Sequence, residues 1–210
     1  MFIYSIVRIP AFSSQDLNMI NRNTQHFDTV YDLIIFQDHI AEVLEKWDNI
    51  DDEIWAKVIV LERNRRIAKA YARAPVLTVN GSDDGFDGFK IGVNGFENPM
   101  RDHKVTEFKS QIGAGCKLKM DDSGNILVKR VSKGNIYVKN TAEETAVSND
   151  ILKLPNGLLE MDKPFKLFDM KKFQQNVNRE MKRQFPERNK LETQVGTITL
   201  VTPLFCNETG

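Results

Sequence analysis

Three histidines and two cysteines are the residues of this 210-residue chain best suited to hold a metal, and their spacing does not serve that chemistry. His26, His39 and His103 keep no fixed rhythm with Cys116 or Cys206, whereas structural zinc sites draw their ligands in pairs a few residues apart. Nucleophilic catalysis lacks its Gly-x-Ser-x-Gly elbow, so Cys116 reads as a small buried hydrophobe. The acidic, glycine-rich stretch from Gly81 to Gly88 offers oxygen ligands, but an EF-hand loop counted from Asn80 would put Ile91 where the bidentate Glu belongs. No Gly-Lys-Ser/Thr follows it to cradle a nucleotide phosphate. It reads as a solvated loop between strands. No catalytic residue, metal site or cofactor is expected.

Charge is distributed unevenly along a chain whose 29 basic and 29 acidic side chains cancel. Arg63, Arg65, Arg66, Lys69 and Arg73 form a basic cluster that could grip phosphates, but no interleaved aromatic platform follows it, so no nucleic acid is expected as a partner. Residues 1–54 hold ten Asp/Glu against three Lys/Arg, and residues 55–73 hold one against six. Opposite charge on the two segments allows the front to fold back on the body. Solvated surface charge explains the same counts as well. No apolar run reaches the roughly 18 to 20 residues of a membrane span, and two distant cysteines do not make a disulfide scaffold. A reducing, cytoplasmic setting is expected, with the nucleus as the alternative.

The elements that must position these side chains change in kind after the first quarter. Residues 2–9 alternate like a strand, and Leu33, Phe36, Ile40, Val43, Leu44 and Trp47 recur at helical spacing to give one buried face. Beyond Trp55, short β-branched runs at 58–61, 76–79, 89–93, 118–120, 126–131 and 136–138 are bounded by Gly, Asn, Asp and Ser. That is the rhythm of a β-sandwich. The turns at 122–125 and 132–135 predict a three-stranded meander over 117–140. Residues 63–73 have the propensity of a helix. Asp169 reads as the cap of a helix carrying Met170, Phe173, Val177 and Met181 until Pro186 stops it, and 196–201 is a last strand.

Several stretches in this order resemble the Mad-homology-2 domain of the Smad type. The tryptophan-led run 54–67 is similar to that family's first strand, and 76–81 and 89–92 to its next two. Ile112, Gly113, Ala114 and Gly115 match an Ile-Gly-x-Gly turn, with the strand 136–138 following at the family's distance. Lys153-Leu154-Pro155-Asn156-Gly157 and Lys166-Leu167-Phe168 resemble its Lys-Ile-Pro-x-Gly and Lys-Ile-Phe elements, with Phe173 in the helix after them. The resemblance spans Trp55 to Phe205. It implies a mainly β fold, a Mad-homology-2-like β-sandwich with flanking helices, to which this chain adds an N-terminal α-helical segment. It also implies a protein without enzymatic activity that works through protein contacts, some of them with phosphoserine.

On this reading residues 1–54 are an extension docked on a 55–210 body. Trp55, Ile112, Gly113, Gly115 and Phe173 are assigned to the core. Lys153 and Lys166 are the candidate phosphopeptide or partner-binding residues. In the family a strand like 197–201 leads into a loop with a phosphoserine-contacting lysine, a further strand and a terminal helix. Leu204 falls where that lysine would be, and Gly210 is reached without the strand and helix. The resemblance therefore carries neither receptor docking nor a phosphorylation-driven trimer to this chain. A scaffold or adaptor, a phosphoserine-peptide reader and a transcription-associated factor remain as functions, each with protein partners of unknown identity. To cover the face and edge left open, the helix through Leu33 and Trp47 is expected to lie on the body, with 2–9 pairing at a sheet edge. Trp55 packed on the core predicts that Trp55→Ala costs about 3–5 kcal/mol in a denaturant titration; a loss under about 1 kcal/mol would place it on the surface.

Overall fold

The run from Ala56 to Glu62 is apolar at five of its seven positions, and a strand so composed must be covered from both sides. It is strand β2, buried along its whole length in a computed structural model. That structure describes residues 2–9, 41–42, 45–46, 49–51, 53–62, 65–138, 146–184 and 198–206, with the backbone alone for 2–9, 180–184 and 198–206. Strand β1 (Phe2–Ile9) pairs antiparallel with β2, Ile3 opposite Val60 and Val7 opposite Ala56. β1 has β11 (Ile198–Cys206) on its other side. It therefore lies inside a sheet and not at its edge, because β2 needs a hydrogen-bonding neighbour on each side and the strand Arg65–Ala72 supplies only one.

β3 (Arg65–Ala72) corrects the helical reading of this stretch. Ala68, Ala70 and Ala72 are buried while Lys69 and Tyr71 face outward, so alternation of period two prevails over the helix propensity of Arg, Lys and Ala. A bulge falls between Val60 and Leu61 in the β2–β3 ladder. The first sheet runs β3-β2-β1-β11-β9, and the second runs β10-β8-β7-β4-β6-β5. The second is built from β4 (Val76–Asn80), β5 (Gly85–Phe86), β6 (Lys90–Gly92), β7 (Cys116–Met120), β8 (Ile126–Arg130) and β10 (Pro164–Phe168). β9 (Ile136–Val138) pairs with β11 in the first sheet, so the expected meander holds for β7 and β8 only. Its buried Ile136 and Val138 face a partner more than 60 residues away, which periodicity cannot announce.

One apolar core joins the inward residues of both sheets, Val58, Val60, Leu77, Val79, Leu118 and Val128 among them. Trp55, just ahead of β2, is buried there and donates its indole Nε1–H to the Ala74 carbonyl at 2.8 Å. Helix α1 (His103–Ser110) begins where Asp102 Oδ1 accepts from the Val105 amide at 2.9 Å. Helix α2 (Asn149–Leu152) is capped by the Ser148 hydroxyl, and α3 (Met170–Gln184) by Asp169, whose Oδ1 accepts from the amides of Lys171 and Lys172. Phe173 and Val177 of α3 are buried, with the Phe168 and Phe173 rings 5.3 Å apart. Residues 41, 42 and 45 are helical, while Leu33, Phe36, Ile40, Val43, Leu44 and Trp47 lie outside the described residues. Among the described residues no helix is long and apolar enough to cross a membrane.

The glycines of the Ile-Gly-x-Gly turn do different things. Ile112 and Gly115 are buried, but Gly113 is exposed and is not part of the core. Gly113 has φ +54 and open space around it, so its task is the left-handed turn. Gly115, at φ +63, passes so close to β4 that an added Cβ would stand 1.8 Å from the Val79 carbonyl oxygen. Gly113→Ala is expected to cost only the left-handed strain, about 1–2 kcal/mol, and Gly115→Ala clearly more, because backbone would have to move. Urea unfolding of both variants compares them; equal losses would contradict the close approach.

Candidate functional site

Sequence and register bring three groups of side chains to the surface. The first surrounds α2. Ile151 and Leu154 are buried and hold this short helix to the body, which turns Lys153 outward at 77% exposure. The chain then folds through Asn156, at φ +51, and Gly157, at φ +75, where a Cβ would stand 2.1 Å from the Val138 carbonyl oxygen. Lys166 lies on β10 opposite Leu127, and its amide donates to Asp150 Oδ2 at 3.2 Å. Lys153 Nζ is 4.0 Å from Asp150 Oδ1, so both sequence-derived lysines border one carboxylate. The Lys166 ammonium is held by Asp169 at 3.1 Å, and Lys172 Nζ donates to Asn149 Oδ1 at 2.7 Å. Burial pushes the Asp169 carboxyl up, but the Lys172 amide and the Lys166 side chain outweigh it and keep it below its ordinary value. Lys172 was not singled out in the sequence; its place in the first turn of a helix packed beside α2 is the signal that marks it.

The second group is the hairpin of β5 and β6. Asp87 Oδ1 accepts from the amides of Phe89 and Lys90 at 2.9 and 2.7 Å, and Gly88 at φ +95 completes the turn. Asp84 takes the Lys90 ammonium. This stretch, expected as a solvated loop, is a locked hairpin that holds Phe89 at 68% exposure and Phe86 exposed beside it. Two aromatics among turn residues were the available signal. Among the described residues no group of three His, Cys, Asp or Glu is placed to hold a metal. His103 is exposed at the start of α1.

The third group is ionic. Lys57 of β2 is only 3% exposed, and its Nζ is 2.8 Å from Glu42 Oε2. Arg66 reaches the same oxygen at 3.3 Å and Lys69 reaches Oε1 at 2.7 Å. Asp51 pairs with Arg73 at 3.2 Å. Burial raises the Glu42 carboxyl, yet the hydrogen bonds from Lys57 and Lys69 dominate and bring it from 4.5 to about 2. Glu42 escaped the sequence reading because it stands between the apolar positions of the helical stripe.

Two facing sheets with short capped helices at their margins, carrying charged and aromatic groups on the outside, define a β-sandwich protein-interaction domain. A profile of the MH2 domain matches residues 53–208. The chain belongs to the MH2 domain family. Solved structures to which it is similar include the IAD domain of interferon regulatory factor 9, at TM-score 0.40 and 16% identity over 67% of this chain and 75% of that one. A chain from the crystal structure of STAT2 in complex with IRF9 gives TM-score 0.40 and 14% identity over 69% and 85%. Comparison with curated proteins gave no match.

The lowered Glu42 value fixes a pH dependence. A carboxyl whose folded value lies below its unfolded one stabilises fully above the unfolded value, and that stability goes as pH falls through the folded value. Wild type should therefore melt above Glu42→Gln at pH 5 and higher, and the gap should close between about pH 4.5 and 2. Thermal melts of both proteins across that window measure it; a gap that stays constant would detach it from the ionised carboxylate.

Proposed function

We propose that this domain is a non-enzymatic adaptor or scaffold that holds protein partners in the cytoplasm. The observation that carries this reading is the hairpin bearing Phe86 and Phe89, because large aromatics on a rigid support are what interface hot spots use. Turn residues lock its backbone before any partner arrives, so little ordering is left to oppose binding. The family is one of interaction modules, which supports a role without catalysis. Two cysteines in the chain support a reducing compartment. Residues 1–54 are taken as an extension docked on the 55–210 body, which the pairing of β1 and the ion pairs of Glu42 and Asp51 support.

A second reading, phosphoserine-peptide binding, is favoured by the arrangement of Lys153, Lys166 and Lys172 around α2. Lysine ammonium groups are a source of the charge-assisted bonds a phosphate requires, and Lys153 is the most exposed of these three. One experiment separates the two. Quantitative affinity purification is run with the wild type, a Phe86→Ser/Phe89→Ser variant and Lys153→Ala, each with untreated and phosphatase-treated lysate. The adaptor reading expects partners depleted about tenfold or more by the phenylalanine changes, since one hot spot of about 2 kcal/mol exceeds the 1.4 of a decade. Partners lost instead with phosphatase and with Lys153→Ala would support the phosphoserine reading. An identical partner set from all three proteins would overturn both.

A further inference from the structure

The ladder of β2 and β3 sets Lys57 opposite Tyr71, Ile59 opposite Lys69 and Leu61 opposite Arg66. Residues opposite one another share a side of the sheet, as do alternate residues of one strand, so Lys57, Lys69 and Arg66 share the face opposite the inter-sheet core, on which Ile59 and Leu61 are buried too. Three cations on one patch repel each other. Lys69 and Arg66 each make it harder for buried Lys57 to keep its proton. Such a patch is stable in a fold when an anion occupies it.

Glu42 is that anion, and the way it is held describes a receptor. One carboxylate oxygen takes Lys69 at 2.7 Å, and the other takes Lys57 at 2.8 Å and Arg66 at 3.3 Å. Two strands thus grip both oxygens of a planar group. The three cations belong to paired strands within the stretch the MH2 profile matches, whereas Glu42 precedes it at residue 53. Site and occupant come from different parts of the chain. We propose that Lys57, Arg66 and Lys69 form a carboxylate-binding site for an acidic segment of a protein partner, which Glu42 fills in cis when no partner is engaged. The source of the carboxylate rests on the protein-interaction reading; the site itself does not. Glu42 is then an internal competitor, and the partner's acidic side chain must displace it. A carboxylate fits because two oxygens are gripped, one by Lys69 and the other by Lys57 and Arg66.

Chemical rescue tests the site without knowing the partner. Glu42→Ala in the full chain removes the carboxylate that the three cations share, and its melting temperature should fall by several degrees. Sodium acetate should restore it saturably, sodium chloride at equal ionic strength should not, and Glu42→Ala/Lys57→Met should show no acetate-specific rise. A Glu42→Ala protein that folds only with acetate present supports the site; one that acetate neither stabilises nor refolds overturns it. Phosphate outperforming acetate at equal ionic strength overturns the carboxylate assignment. For the competition, a hexaglutamate peptide and its hexaglutamine twin are titrated by calorimetry. Glu42→Ala should bind hexaglutamate alone, and the wild type should bind it about tenfold more weakly if Glu42 fills the site in nine molecules of ten. Equal affinity of wild type and Glu42→Ala, or no binding to either, overturns displacement by an acidic partner even where acetate rescue succeeds. Neither result depends on Phe86 and Phe89, so failure here and failure of the adaptor reading are told apart.

Discussion

Strand β2 is buried along all seven of its residues, and two of the seven, Lys57 and Glu62, are charged. Removing an ion from water costs several kcal/mol unless charge and hydrogen bonds replace the lost solvent. The structure around β2 answers that requirement at each end. Glu62, 2% exposed, takes both guanidinium contacts of Arg101 at 2.9–3.1 Å and the Asn98 amide at 2.6 Å. Arg101 also donates to the Phe96 carbonyl at 2.7 Å, so one pairing ties the loop before α1 to the sheet. Lys57 is met by Glu42 from the front segment. Without these partners β2 could not be central to the sandwich.

The same ledger of burial against pairing comes out differently for acids and bases. Burial raises both Glu42 and Glu62, and pairing overcomes it in each, leaving both carboxyls below their ordinary value. Lys57 and Lys109 go the other way, drawn down by burial more than their carboxylates draw them up. Geometry accounts for the difference. Each carboxylate has two oxygens that collect several donors, whereas Lys109 is 3.6 Å from Glu62 Oε2, beyond hydrogen-bond reach, with the Arg101 charge close by. The carboxylates are therefore the points around which neighbouring segments gather.

Much of this architecture was legible from local pattern, and what was not depends on distant partners. A pattern of short β-branched runs bounded by turn residues marked β2, β4, β7, β8 and β9, because such composition is a property of the strand itself. It did not say that β9 crosses to the other sheet or that β1 enters between β2 and β11, since pairing is decided by which edges are left open. β3 was hidden by residues of high helix propensity, and α1 by a sequence, HKVTEFKS, with no apolar stripe. Gly113 and Gly115 belong to one motif, but only a close backbone approach from β4 separates a turn residue from a packing one. At the site, Lys153 and Lys166 could be named from resemblance. Their common neighbour Asp150 required the fold, because only folding brings α2 and β10 together.

The exposed hairpin stands apart from this logic, because nothing in the core requires it. Leaving a phenylalanine largely in water forgoes about 1.5–3 kcal/mol that its burial would return, and single exposed apolar residues are common enough to need no explanation. Phe86 and Phe89 differ in being held out. β5 is two residues long, Gly85 and Gly88 have φ of +70 and +95, and the Asp87 carboxylate fixes the amides of Phe89 and Lys90. A flexible loop could have collapsed onto the sheet and covered its own aromatics. This one cannot, because its turn chemistry fixes the backbone. The backbone that carries them is therefore ordered before any partner arrives, which lowers the ordering entropy that opposes association. Among the large apolar side chains exposed in the described residues, these two are the aromatic ones, and one preformed turn carries both.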